Sequence, residues 1–80
     1  MVTLTNFTWE NSILSFLIVI EGDNKKTYRM SVDVGSNTEF YTVVSSNIPD
    51  EYKIYERQAR VALHEYKDKE LPPKITCAWC

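Results

Sequence analysis

Two glycines, one histidine and two cysteines in eighty residues set the first limits on what this chain can do. A phosphate-cradling loop of the P-loop or dinucleotide type needs clustered glycines, and Gly22 and Gly35 stand in separate segments, so neither motif can be built. His64 is the only histidine. A Ser-His-Asp arrangement would need a nucleophile elbow or a glycine-rich oxyanion segment beside it, and the sequence has neither. His64 is therefore expected at the surface or boundary of a helix. Two cysteines are too few for the disulfide framework of a small secreted domain.

Long apolar runs are also missing. The longest, Ile13-Leu14-Ser15-Phe16-Leu17-Ile18-Val19-Ile20, is far too short to cross a bilayer as a helix, and its β-branched content suits a buried strand. Residues 1–24 carry no Lys or Arg, and no small-residue cleavage site follows the run, so it does not read as a secretory signal and a cytoplasmic location is expected. Charge of one sign is not concentrated anywhere: nine basic and eleven acidic residues give a net charge of −2, with the bases scattered among acids. Nucleic-acid binders usually carry a basic face for phosphates, which makes nucleic acid an unlooked-for partner.

What the chain does have is core material. It is 44% hydrophobic, with five Tyr, three Phe and two Trp, which places it among folded domains and predicts one domain over residues 1–80. At this length a core alone supplies only about 3–5 kcal/mol, and self-association often helps.

Val2 to Trp9 has strand composition, but its apolar positions run Val2, Leu4 and then Phe7, Trp9. The phase slips at Asn6, which predicts a bulge or short break, and Glu10-Asn11-Ser12 turns the chain into the next strand. Residues 13–20 are apolar on both sides, the mark of a central strand. After the turn residues Glu21-Gly22-Asp23-Asn24, Thr27 to Val34 alternates, with Tyr28, Met30, Val32 and Val34 on one face. Gly35-Ser36-Asn37 can supply positive φ for a tight connection into a fourth strand, residues 38–44.

The period then changes from two to 3.6. Pro49 suits a first helical turn, Asp50 and Glu51 favour the positive end of the dipole, and Ser46 or Asn47 is available as a cap. Tyr52, Tyr55, Ala59, Ala62, Leu63 and Tyr66 form an amphipathic stripe to about residue 67. Lys53, Glu56, Arg57 and Arg60 are expected on the outer face, with Glu56 and Arg60 as an i,i+4 pair. Leu71-Pro72-Pro73 stops helical structure, and residues 74–79 can form a closing strand.

The predicted architecture is α+β: a four- to five-stranded, mainly antiparallel β-meander with one amphipathic helix packed on one face, in the order β-β-β-β-α-β. One helix covers one face only. Strand 13–20 offers Leu14, Phe16, Ile18 and Ile20 to one side and Ile13, Leu17 and Val19 to the other. At about 1.5–3 kcal/mol per large aliphatic side chain buried, leaving the second set bare forgoes several kcal/mol. A partner, a self-dimer, or a curled sheet or loop over those residues would supply the cover.

Cys77-Ala78-Trp79-Cys80 has the CxxC spacing of redox and zinc sites. In an extended strand, however, Cys77 and Cys80 point to opposite faces, and a thioredoxin-type thiolate needs a helix N-terminus behind it. A zinc site needs about four ligands, and beyond the cysteines only His64 is an obvious soft donor, unless two chains pool their thiols. The carboxylates Glu51 and Glu56, and Glu65, Asp68 and Glu70, lie near bases on what should be a solvated surface. Tyr52, Tyr55 and Tyr66 could stack bases beside Arg57 and Arg60, but their spacing suits a core-facing stripe. Asn6-Phe7-Thr8 matches a glycosylation sequon, which has no bearing on a cytoplasmic protein.

In size and style the chain resembles the small accessory proteins of phages and mobile elements, including inhibitors and immunity proteins. That resemblance implies a non-enzymatic protein-binding module with no cofactor, docking on another protein or on itself as a homodimer. The expected interaction residues are Ile13, Leu17 and Val19 on the sheet, or Glu56, Arg57 and Arg60 on the helix. The competing readings are a thiol or metal-binding protein built on Cys77 and Cys80, and a weak nucleic-acid binder.

Overall fold

The structure is a computed structural model that describes residues 1–22, 24–35 and 41–77. Five strands form one sheet: β1 (Val2–Glu10), β2 (Ile13–Ile20), β3 (Lys26–Asp33), β4 (Thr42–Ser46) and β5 (Lys74–Cys77), with helix α1 (Ile54–His64) between the last two. The sheet order is β4-β3-β2-β1-β5, and every neighbouring pair is antiparallel. The chain thus meanders to one edge, crosses through α1, and closes the opposite edge with β5. This is the predicted α+β architecture with five strands.

The phase slip at Asn6 is a bulge. Thr5 pairs with Leu17 but Thr8 pairs with Ser15, and Asn6 takes φ 58°, a left-handed conformation that asparagine tolerates better than most residues. The extra residue keeps the apolar set on one face: Val2 and Leu4 before it, Phe7 and Trp9 after it. Phe7 then lies 5.9 Å from Phe16, ring to ring. Asn11, at φ 57°, turns β1 into β2.

The core sits between this face and α1. From the sheet come Val2, Leu4, Leu14, Phe16, Ile18, Ile20, Met30, Val32, Ile75 and Cys77, and from the crossover Ile48, Ala59, Ala62 and Leu63, all buried. The small Ala59 and Ala62 let the helix backbone approach the sheet, while Leu63 is the one large side chain fully inserted from above.

The helix is shorter than its apolar period predicts, and its caps differ. The chain enters through a 3-10 turn, Asp50–Tyr52, and neither this turn nor α1 has a side-chain cap. Ser46 and Asn47 are engaged elsewhere because β4 runs through Ser46 rather than ending at residue 44. The Asn47 amide oxygen accepts from Arg29 N at 2.7 Å, and Ser46 Oγ accepts from Ile48 N at 3.1 Å. Residues 38–40 of the predicted fourth strand lie outside the described residues. At its far end α1 gives way to i→i−3 turns, with Tyr66 N donating to Leu63 O at 2.9 Å and Lys67 N to His64 O at 3.0 Å, and Asp68 reverses the chain at φ 65°.

Gly35 has no positive φ, contrary to the expected turn role. Its value is room: a Cβ there would stand 2.9 Å from Ser12 Cβ. Ser36 and Asn37 lie outside the described residues.

Candidate docking surface

Three surfaces could carry function: the sheet face away from the helix, and the two flanks of α1. The sheet face has no second layer among the described residues. Even so, Val19 is only 8% exposed, while Ile13 and Leu17 are half-buried. Register explains this. Val19 lies between Thr3 and Thr27, and Leu17 between Thr5 and Arg29, so branched and long neighbours close over the apolar centre. Ser15 Oγ and Ser31 Oγ share a 2.9 Å hydrogen bond on the same face. The face satisfies itself through cross-strand pairing, and the expected demand for cover falls largely on Ile13 and Leu17.

The flank of α1 over β3 and β4 is tied down by polar contacts. Arg60 Nη1 donates to Tyr41 O at 3.2 Å, and the Tyr41 ring packs 6.0 Å from His64. Glu56 is paired with Lys53 at 2.8 Å rather than with Arg60, and its carboxylate is 15% exposed. Burial would raise the Glu56 carboxyl, but hydrogen bonds from Lys53 and Ser46 and the charges of Lys53 and Arg60 hold it below its ordinary value. Glu56 and Arg60 are therefore interior-facing bracing residues, not members of one open patch with Arg57. Tyr28, Tyr52 and Tyr55 form a chain of tilted rings at 6.2 and 6.0 Å against the core, and Tyr66 also packs there, so the tyrosines are packing residues rather than a stacking platform.

The opposite flank is bare. Ile54 is 62% exposed and Val61 is 40% exposed, and with Arg57 and Gln58 they line a shallow depression on the helix. Val61 also lines a groove with Ala62, Glu65, Ile75, Thr76 and Cys77, between α1 and β5. β5 pairs with β1 on one side and forms the sheet edge on the other. Among the described residues no further strand pairs with this edge. The seven-residue spacing of Ile54 and Val61 signals this shoulder in the sequence, but the stronger inward stripe hides it.

A cleft of about 280 Å³ opens at the far end of α1, lined by Trp9, Leu14, Tyr41, Tyr66 and Leu71, with Lys67, Asp68 and Lys69 beside them. Burial, and then the Asp68 charge, push the Tyr41 phenol up. The cleft brings together one carboxylate, two lysines and two tyrosines. Among the described residues no group of three or more His, Cys, Asp or Glu side chains could hold a metal. Cys77 is buried in the core, and burial together with Glu65 pushes its thiol up, away from the thiolate. Cys80 and Trp79 lie outside the described residues, so the terminal CxxC is placed only at its first cysteine. Among the described residues no helix is long and apolar enough to cross a membrane.

No protein-family model, curated protein or solved structure matches this chain.

Proposed function

We propose that this protein is a non-enzymatic protein-binding module, accessory or inhibitor-like in style, that docks through the shoulder formed by α1 and β5. The observation that carries this reading is two exposed aliphatics on one helix flank, Ile54 and Val61, the second of which lines a groove with the edge strand β5. Isolated surface hydrophobics are ordinary, but apolar side chains beside unpaired main-chain groups offer both parts of strand addition: hydrogen bonds from the edge and a pocket for alternate side chains. Of the residues expected to make contact, Arg57 stays at the surface in this shoulder. Glu56 and Arg60 brace the fold, Val19 is buried, and Ile13 and Leu17 stay half-buried on the other face of the sheet.

A photo-crosslinking residue placed at Val61, in the full chain expressed in cells of its source, should give a protein adduct. The same residue at Leu17 should give none. Absence of any protein adduct at Val61, with adducts at Leu17, would move the docking site to the sheet face.

A further inference from the structure

We infer that the shoulder takes an extended segment of another protein, added to the sheet antiparallel to β5, with a basic side chain opposite Cys77 and an apolar one opposite Ile75. The inference rests on the docking reading above and adds the chemistry of the partner.

Hydrogen-bond direction makes the edge available. Met1 N donates to Glu21 O at 3.4 Å and Glu21 N donates to Met1 O at 2.9 Å, so Met1 turns both main-chain groups toward the β2 side. Successive residues of an antiparallel strand turn theirs to opposite sides, which directs Val2 and Leu4 toward β5, where they stand opposite Cys77 and Ile75. Cys77 and Ile75 are thus engaged with β1, and Lys74 and Thr76 turn their N–H and C=O groups outward. Pro72 and Pro73 precede them without N–H groups, so pairing along this edge is short and side chains must select the partner.

The groove between β5 and α1 fixes which side chains those are. A strand added to the edge lies about 4.8 Å beyond β5, and its residues opposite Ile75 and Cys77 point to the helix side, because directly opposite residues share a face. They enter the groove lined by Val61, Ala62, Glu65 and Tyr66. Val61 stays exposed there, so an aliphatic side chain covers surface that the described residues leave bare. Glu65 is exposed, and no ion pair among the described residues reaches it. Its charge acts on Cys77, whose thiol it helps to push up, which sets the carboxylate toward the Cys77 end of the groove. A Lys or Arg opposite Cys77 meets it. Read from its own N-terminus, the partner segment is therefore basic-x-apolar, and the middle residue lies opposite Thr76 and points away from the helix. A second copy of β5 does not meet this requirement, because the helix-side residues it brings, Ile75 and Cys77, include no base.

The test is an NMR titration of the isotope-labelled full chain, read amide by amide, with the capped nonapeptide Ser-Thr-Thr-Arg-Thr-Val-Thr-Thr-Ser taken to low-millimolar concentration. The outward Thr76 amide should shift together with those of Val61 and Glu65. Replacing the peptide's Arg by Glu should weaken binding roughly tenfold, and Glu65→Arg in the protein should reverse that preference. Thr76→Pro removes the outward N–H and spares the ladder to β1, so it should abolish binding while circular dichroism shows an unchanged fold. A peptide that leaves the Thr76 amide unmoved, or that binds with indifference to both charge changes, overturns the inference. If a Val61 photo-adduct with another protein forms despite either result, only the strand addition falls and the docking reading stands.

Discussion

The two flanks of α1 are made from the same eleven residues, yet one is built into the fold and the other is left open. Over β3 and β4, long polar side chains reach neighbouring backbone and rings: Arg60 to Tyr41 O, Glu56 to Lys53 and Ser46, His64 to the Tyr41 ring. On the other flank, Ile54 and Val61 are short and branched, and among the described residues no chain lies above them. A helix flank is closed by side chains long enough to bridge to the next element, and aliphatic residues of the same helix cannot do that. They close only when another surface arrives.

The comparison can be broken most severely from its shared floor. Leu63→Ala should cost about 2–5 kcal/mol, because it removes the one large helix side chain fully inserted in the core and undermines both flanks at once. Urea denaturation measures it, and a loss under 1 kcal/mol would mean that the helix is only loosely docked. Next in size, Arg60→Ala should cost about 1–2 kcal/mol by removing a charged donor from a half-buried carbonyl. The open flank should respond differently. Ile54→Ala should change the stability of the dilute monomer by no more than about 0.5 kcal/mol, as surface substitutions usually do. A larger loss in dilute solution would show that the shoulder is covered within the monomer.

The smallest expected effect sharpens the comparison through pH. Glu56 is held below its ordinary value of 4.5, so its contribution is fully present above that pH and is lost as pH falls through the lowered folded value. Lys53 is 47% exposed, which screens the pair and limits the effect to about 0.2–1 kcal/mol. Chemical denaturation across the acid range should show this slope in wild type and lose it in Glu56→Gln.

Much of the fold was legible because it rests on local period. The alternation from Thr27 to Val34, the slip at Asn6 and the Ala59-Ala62-Leu63 stripe each produce the element they predict, since side-chain direction follows from backbone repeat alone. The helix ends were not legible, because Ser46 and Asn47 serve equally well as caps or as strand-end ligands, and pairing with Arg29 decided between them. The candidate site was half legible. Arg57 is exposed as its helical position predicts, but Glu56 and Arg60 were placed outside because charge was read as exposure, whereas Tyr41 and Ser46 supply partners from distant sequence. The seven-residue spacing of Ile54 and Val61 marks a second helix face, but the longer inward stripe of Tyr55, Ala59, Ala62 and Tyr66 dominates the pattern.

By itself the sequence determined the order of its elements and the face each strand turns to the helix. Composition excludes glycine-built phosphate sites outright, and periodicity determines which side chains can share a face. Tertiary structure alone decided that β5 closes against β1, that the threonine-rich face shields Val19, and that one shoulder of α1 is left open beside a strand edge. These are long-range outcomes, set by which segments meet across the sheet, and no window along the chain contains them.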